Sequence, residues 1–430
     1  MTAVAVLLLN LILIGYEWKR ESLAVLFWAP TLVFFALPHW VHAQGTEVPA
    51  WVIDEASYFA LIFMGLYLVA RILYHARLGT DLRRRAHSFA LSQIREADPL
   101  FVDLLYTLYT LAFLFRALCF YRRGGSILIA RAYQDVVMGF PEYVAGILLM
   151  SLAAVVFIAF IRRQYVAMLI FALMYLFFYQ TTQIRYYLLP FFVPFLVYFL
   201  FHPNRRKQML GMGLGLLFIF LVYLVQQMRW VGNIATLAET PRMEIFQNTL
   251  RYMRSGDGEF GLIKAFYYFL EKQNHLRDFG EGLGFLRLAL LFLPASIAPF
   301  KPRDFAIDMY REWFHVDNPK GTMHPTAFGD AYANFGFWGA GLGLLYALWV
   351  SLVDESVRRT KDPLVRTIKI SLAVTMFIIL ARGAVYNAIA NFILGWALLL
   401  AVQILYAIIR YKQKPFRTVA RSGGHHGSVL

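Results

Sequence analysis

Long apolar runs joined by short basic or aromatic connections constrain this chain more than anything else in it. A helix that crosses a bilayer needs about 20 mostly apolar residues. By that measure the chain holds about eleven candidates, over residues 2–16, 23–41, 56–74, 99–121, 141–161, 165–180, 186–201, 209–226, 326–353, 368–380 and 386–409. The first, sixth, seventh and tenth are short. The stretch 2–16 has the length of a signal-peptide core, but it lacks a basic start and a small-residue cleavage site, so it reads as a helix. Composition points the same way: 60% of residues are apolar and only 16% charged, against about 25% charged in an ordinary soluble domain. A water-soluble fold of 430 residues could not hide so much apolar surface. The expected fold is therefore all-α and polytopic, a single membrane domain over residues 1–430. The lone Cys119 excludes an intrachain disulfide framework and a cysteine-rich metal site.

Lys and Arg gather in cytoplasmic loops, so their distribution orients the chain. Alternate connections carry Lys19 and Arg20; Arg77, Arg83 to Arg85 and Arg95; Arg162 and Arg163; Arg205 to Lys207; Arg358 to Lys369; and the tail from Arg410 to Arg421. The opposite short connections carry only Arg122, Arg123, Arg131, Arg185 and Arg382. This alternation puts the N-terminus outside and the basic tail, residues 411–430, in the cytoplasm. The net charge of +15 is mostly this topology signal, which argues against nucleic acid as a partner.

Residues 227–325 then form one large outer segment. Basic and acidic residues nearly balance there, unlike in the cytoplasmic connections. Helical periodicity predicts helices over 245–254 and 260–272. The apolar stretch 285–300 is broken by Pro294 and Pro299 and preceded by Gly280, Gly282 and Gly284, a pattern that fits a half-inserted helix. Irregular backbone at membrane depth is tolerated where it lines a cavity, and a long ordered loop is more often functional than decorative.

Arginines recur at the outer ends of the runs, at Arg116, Arg185, Arg229 and Arg382, and within the segment at Arg251, Arg254, Arg287 and Arg303, with Lys301 close by. Any one of them could snorkel, its stem in lipid and its head in water. As a group they suit a ligand bearing phosphates, because guanidinium forks match phosphate oxygens. Asp330 opens the ninth run. A carboxylate at the lip of an apolar bundle is partly desolvated, which raises its pKa and makes it a better base; it could also simply complement the helix dipole. His324 is the alternative base. Asp54 and Glu55 form an acidic pair that suits either a base, a metal or a solvated loop. No HExxH, other metal-ligand spacing or phosphate-binding GxxxxGK[ST] occurs, so neither a metal nor another cofactor is expected.

Several stretches are similar to the bacterial O-antigen polymerases, the Wzy-type oligosaccharide repeat-unit polymerases. They are Phe279-Gly-Glu-Gly-Leu-Gly-Phe-Leu-Arg287, Leu293-Pro294, Pro299-Phe-Lys301-Pro302, His324-Pro325, Gly329-Asp330-Ala-Tyr332-Ala-Asn334-Phe-Gly336 and Arg382-Gly383. The resemblance implies a GT-C-like fold and an inner-membrane location with a site facing the periplasm. It implies donors and acceptors carried on undecaprenyl pyrophosphate, and a chain-length regulator protein as a further partner. Arginines would neutralise the diphosphate, Asp330 or His324 would act as base, and Tyr332 and Asn334 would bind glycan. The transfer would be inverting and metal-independent. An O-antigen ligase, acting on lipid A core, would look alike, and a lipid-linked oligosaccharide transporter is the reading from another class.

Overall fold

The computed structural model describes residues 1–77, 91–123, 140–182, 185–202, 204–217, 243–244, 247, 261–272, 282–290, 293, 297–302, 305–316 and 322–413. Among them every regular element is helical. In chain order these include α1 (Thr2–Lys19), α2 (Val25–His42), α3 (Ala50–Arg77), α4 (Pro99–Arg122), α5 (Pro141–Ile161), α6 (Tyr165–Thr182) and α7 (Leu189–Leu200). Residues 227–325 contribute α8 (Leu262–Lys272), α9 (Leu283–Ala289) and α10 (Phe305–Phe314). The chain then completes α11 (Thr326–Phe335), α12 (Leu342–Arg359), α13 (Pro363–Ala381) and α14 (Val385–Gln413). Among the described residues, eight stretches are long and apolar enough to cross a membrane, with α11 and α12 forming one of them. The predicted sixth and seventh runs are the shorter apolar helices α6 and α7. The predicted eighth is helical over 205–217 and otherwise lies outside the described residues.

Local chemistry sets several boundaries. Asp98 precedes Pro99 and accepts from the Leu100 amide at 3.0 Å; Asp362 precedes Pro363 and accepts from Leu364 and Val365 at 2.8 and 3.0 Å. Each is an N-cap followed by a proline whose missing N–H costs nothing in the first turn. Within α2, a π turn at Leu32–Ala36 lies between Pro30 and Pro38, where the lost ladder bonds let the helix loosen. The ninth run is not continuous. Gly336, at φ +57°, ends α11, and a 3-10 turn over Gly336–Gly341 leads into α12. Small residues then allow close approach: a Cβ on Gly343 would collide with the Phe63 carbonyl, so α12 and α3 meet backbone to backbone.

Within residues 227–325, α8 appears where helix was predicted over 260–272. It buries Leu262, Ile263, Ala265, Phe266, Tyr267, Phe269 and Leu270 and leaves Glu271 and Lys272 exposed, an amphipathic helix seated on α11 and α3. Among its described residues, the stretch 285–300 shows the short α9 and turns, while α10 was not foreseen. The predicted helix over 245–254 lies largely outside the described residues.

At the other end of the bundle a network of charged side chains ties α1, α3 and α12 together. Glu17, Arg71 and Asp354 are all buried. The Arg71 guanidinium donates to both Glu17 carboxylate oxygens at 2.8 and 2.7 Å, to Ser351 at 2.7 Å, to Ser22 at 3.0 Å and to Asp354 at 3.1 Å. Tyr67 donates to Glu17 at 2.9 Å, and Asp354 accepts from Ser22 at 2.6 Å and from the Leu23 amide at 3.2 Å. A buried charge is costly unless paired and hydrogen-bonded; here each carboxylate faces the guanidinium.

Candidate functional site

Two chain crossings build the end of the bundle opposite that network. His324 and Pro325 lead into α11, and the Arg382–Gly383 corner joins α13 to α14. The Thr326 amide donates to the Arg382 carbonyl at 3.2 Å. Gly383 has φ +89°, and a Cβ there would collide with the Thr326 carbonyl. Thr326 itself has φ +67°, a conformation rarely adopted by a β-branched residue. Such backbone costs about 1–3 kcal/mol, persists only where its surroundings enforce it, and clusters at ligand sites.

His324 lies inside this crossing, 5% exposed, and its Nδ1 has no hydrogen-bond partner among the described residues. Burial, and then the neighbouring Arg382 charge, push its pKa well below the ordinary histidine value. The ring is therefore neutral at pH 7 and takes up a proton more readily in the unfolded chain than in the folded one. Its contribution to stability is complete above about pH 6.5 and falls as pH drops, by up to about 1.4 kcal/mol per unit. Melting curves in detergent at pH 7.5 and pH 5 should show a smaller acid loss for His324→Gln than for the wild type. Equal losses would show that His324 is not held neutral.

Asp330, one turn into α11, is 6% exposed and lies within electrostatic reach of Tyr346 on α12. Asn334, a turn further on, is already committed. Its Nδ2 donates to the Asp330 carbonyl, its Oδ1 accepts from the Gly284 amide, and its own carbonyl accepts from the Gly282 amide, each at 2.8 Å. Gly282 needs its positive φ of 74° to make this corner. Asn334 thus fastens α9 to α11. Tyr332 points the other way. Its hydroxyl donates to Glu55 on α3 at 3.2 Å, and its ring packs edge-on against Phe59 and Phe266.

Arg287 on α9 donates to the Pro302 carbonyl at 3.0 Å and stacks 4.4 Å from the centroid of Tyr386. Tyr386 begins α14 just beyond the Arg382–Gly383 corner, so α9 brings its arginine to that corner. Lys301 donates to the Leu293 carbonyl at 3.1 Å, and burial, followed by the Arg287 charge, lowers its pKa. Arg287 and Lys301 thus lie together beside the first turn of α14, and Arg382 faces His324 at the corner that precedes it.

The other arginines divide differently. Arg116 is 5% exposed and pairs with Glu142 at 2.8 Å, a carboxylate that also takes Arg123 at 2.6 Å. It neither snorkels nor joins the corner, and it links α4 to α5. Arg185 lies in a 3-10 turn over Arg185–Leu188 with its side chain outside the described residues. Arg229, Arg251, Arg254 and Arg303 also lie outside the described residues. The Asp54–Glu55 pair sits within α3 rather than in a loop, and its members separate: Asp54 accepts from Thr2 at 2.9 Å, while Glu55 accepts from Tyr332. Glu55 is the site-lining residue that sequence reasoning left as one of a pair. Its only sequence signal was a carboxylate one turn before an aromatic run. Among the described residues no group of three or more His, Cys, Asp or Glu residues could hold a metal ion. No family model, curated protein or solved structure matches the chain.

Proposed function

We propose that this chain is a glycosyltransferase that polymerises oligosaccharide repeat units carried on undecaprenyl pyrophosphate, at the periplasmic face of a bacterial inner membrane. One observation supports this reading most: two groups, Arg287 with Lys301 and Arg382 with His324, flank the start of α14 at the end of an apolar bundle whose adjoining helix carries the buried carboxylate Asp330. A polyprenyl diphosphate needs both parts, cations for its headgroup and a lipid-side approach for its tail.

In the proposed reaction the acceptor sugar hydroxyl gives its proton to Asp330 as its oxygen bonds to the anomeric carbon. The bond from that carbon to the diphosphate oxygen breaks, and its electron pair leaves with the diphosphate. Arg287, Lys301 and Arg382 stabilise the charge that develops there, which is electrostatic catalysis by groups already in place. A single displacement inverts the anomeric centre. Because guanidinium and ammonium groups supply the positive charge, chelators should leave activity unchanged. A separate chain-length regulator would set the number of repeats.

The test uses purified protein in nanodiscs with the lipid-linked repeat unit of the source strain. Wild type should produce a ladder of lengthened glycan. Arg287→Met and Arg382→Met should each cost about 10²–10³ in rate, as loss of one oxyanion donor does, and Asp330→Asn should leave no measurable ladder. Near-normal ladders from Asp330→Asn and Arg287→Met would remove the site assignment. Transfer of intact glycan to lipid A core without laddering would instead identify a ligase. The buried Glu17–Arg71–Asp354 network is the feature that favours transport, and flipping of a labelled lipid without any glycan product would select that reading.

A further inference from the structure

One hydrogen-bonded line fastens α8, in the outer segment, to the bundle. His39 in the last turn of α2 is fully buried. Its Nδ1 lies 2.8 Å from the Tyr267 hydroxyl on α8, and its Nε2 lies 2.8 Å from the Ser57 hydroxyl on α3. The Ser57 proton is already spent, since it donates to the Ile53 carbonyl at 2.8 Å. Ser57 Oγ must therefore accept from His39, which places the imidazole proton on Nε2. A neutral ring then leaves Nδ1 as an acceptor, and the Tyr267 hydroxyl donates to it. Every direction in the line Tyr267, His39, Ser57, Ile53 is thereby fixed for a neutral imidazole.

A second ring proton would reverse the line's first link and put a positive charge where the ring is fully buried. Nδ1–H would donate to the Tyr267 oxygen, and the phenolic hydrogen would have to turn away from the imidazole that accepts it in the neutral form. Phe35 stacks on the imidazole at 5.2 Å, and His42 stands edge-on to the Tyr267 ring at 5.8 Å. The titratable and charged groups that face His39 are Tyr267 from α8, Asp54 from α3 and His42 from its own helix. Lys264 and Glu47 act on His42 in turn. Asp54 is exposed and accepts from Thr2, so it is poorly placed to compensate a buried charge, and a protonated His42 would oppose one.

The consequence reaches the helix that carries Asp330. Phe266, beside Tyr267, packs on Tyr332 and Phe59, and a Cβ on Gly329 would meet the Phe266 Cβ at 2.9 Å. The seat of α11 is thus built partly from α8. We propose that His39 is an acid-sensitive latch, whose protonation loosens α8 from the bundle and so unseats α11. This rests on the hydrogen-bond geometry and stands whether or not the chain transfers sugars.

The test is hydrogen exchange of α8 amides in the full-length protein in nanodiscs, from pH 7.5 to pH 4.5, expressed as protection factors corrected for intrinsic rates. The imidazole of the open form titrates near pH 6.5. Below that, α8 protection in the wild type should fall by up to about tenfold per pH unit, while α13 amides keep theirs. His39→Gln retains an amide donor for Ser57 and cannot take a proton, so its α8 protection should stay level through the window. Tyr267→Phe removes one hydrogen bond and should lower α8 protection at pH 7.5 by about two- to tenfold. Parallel acid profiles in wild type and His39→Gln would overturn the latch. If His39→Gln does not fold, wild-type α8 protection in Tyr267→Phe at pH 7.5 overturns it equally.

Discussion

Arg71→Met should cost the folded protein about 3–5 kcal/mol, the usual penalty for removing one partner of a buried ion pair. The stem of methionine fills much of the same space, so the loss is electrostatic rather than a cavity. Glu17, at 0% exposure, would keep Tyr67 but lose both guanidinium bonds, and Asp354 would lose its facing charge. Total stabilities of about 5–15 kcal/mol leave little room for such a loss. Neutralising the stranded carboxylates should restore much of it, so Arg71→Met with Glu17→Gln and Asp354→Asn should melt well above Arg71→Met alone. Denaturation in detergent measures all of these. A loss below about 1 kcal/mol in Arg71→Met, the range of exposed pairs, would mean that water reaches the network.

Gly383→Ala should be nearly as damaging, and it acts on the candidate site itself. An L-residue held in the left-handed region costs about 1–2 kcal/mol. The new methyl would also overlap the Thr326 carbonyl and backbone, and overpacking typically adds about 1–3 kcal/mol. The chain can escape only by parting the Arg382 corner from Thr326, which breaks the Thr326–Arg382 bond and opens the pocket around His324. A lower melting temperature should therefore come with loss of the acid sensitivity that His324 contributes. Gly343→Ala, a similar collision between α12 and α3, should lower stability but leave that acid sensitivity in place. Equal behaviour of the two variants would show that Gly383 matters only for packing.

The spans were legible because a bilayer demands long apolar runs, and little else in a sequence produces them. Their edges were less so. The tenth run was read from residue 368, yet α13 starts at Pro363, because Arg366 interrupts the apolar pattern while lying within the helix. Lys369 is accommodated by Ser356 and Thr360, which accept from it at 3.3 and 3.0 Å. The break at Gly336 went unseen, since a glycine between apolar residues looks the same whether it packs or turns. At the site, His324, Asp330 and Arg382 could each be singled out from the sequence, but not the Thr326–Arg382 bond that joins two of their neighbourhoods. Asn334 was chosen for its polarity, which the structure spends on holding α9. The largest omission was Glu17, Arg71 and Asp354. Each is one charge near the end of an apolar run, and only the folded bundle reveals that they belong together.

That grouping bears on how the protein is made. Chains are synthesised and begin folding from the N-terminus, so α1 enters the bilayer long before α12 exists. Glu17 waits first for Arg71, 54 residues later, and that pair then waits for Asp354, a further 283 residues along. Glu17 meets Tyr67 and Arg71 once α3 is made, so the side of the network that waits for the late helix is the one where Arg71 faces Asp354. A chain halted before residue 354 keeps the Glu17–Arg71 pair but lacks the ionic clasp that ties α12 to it.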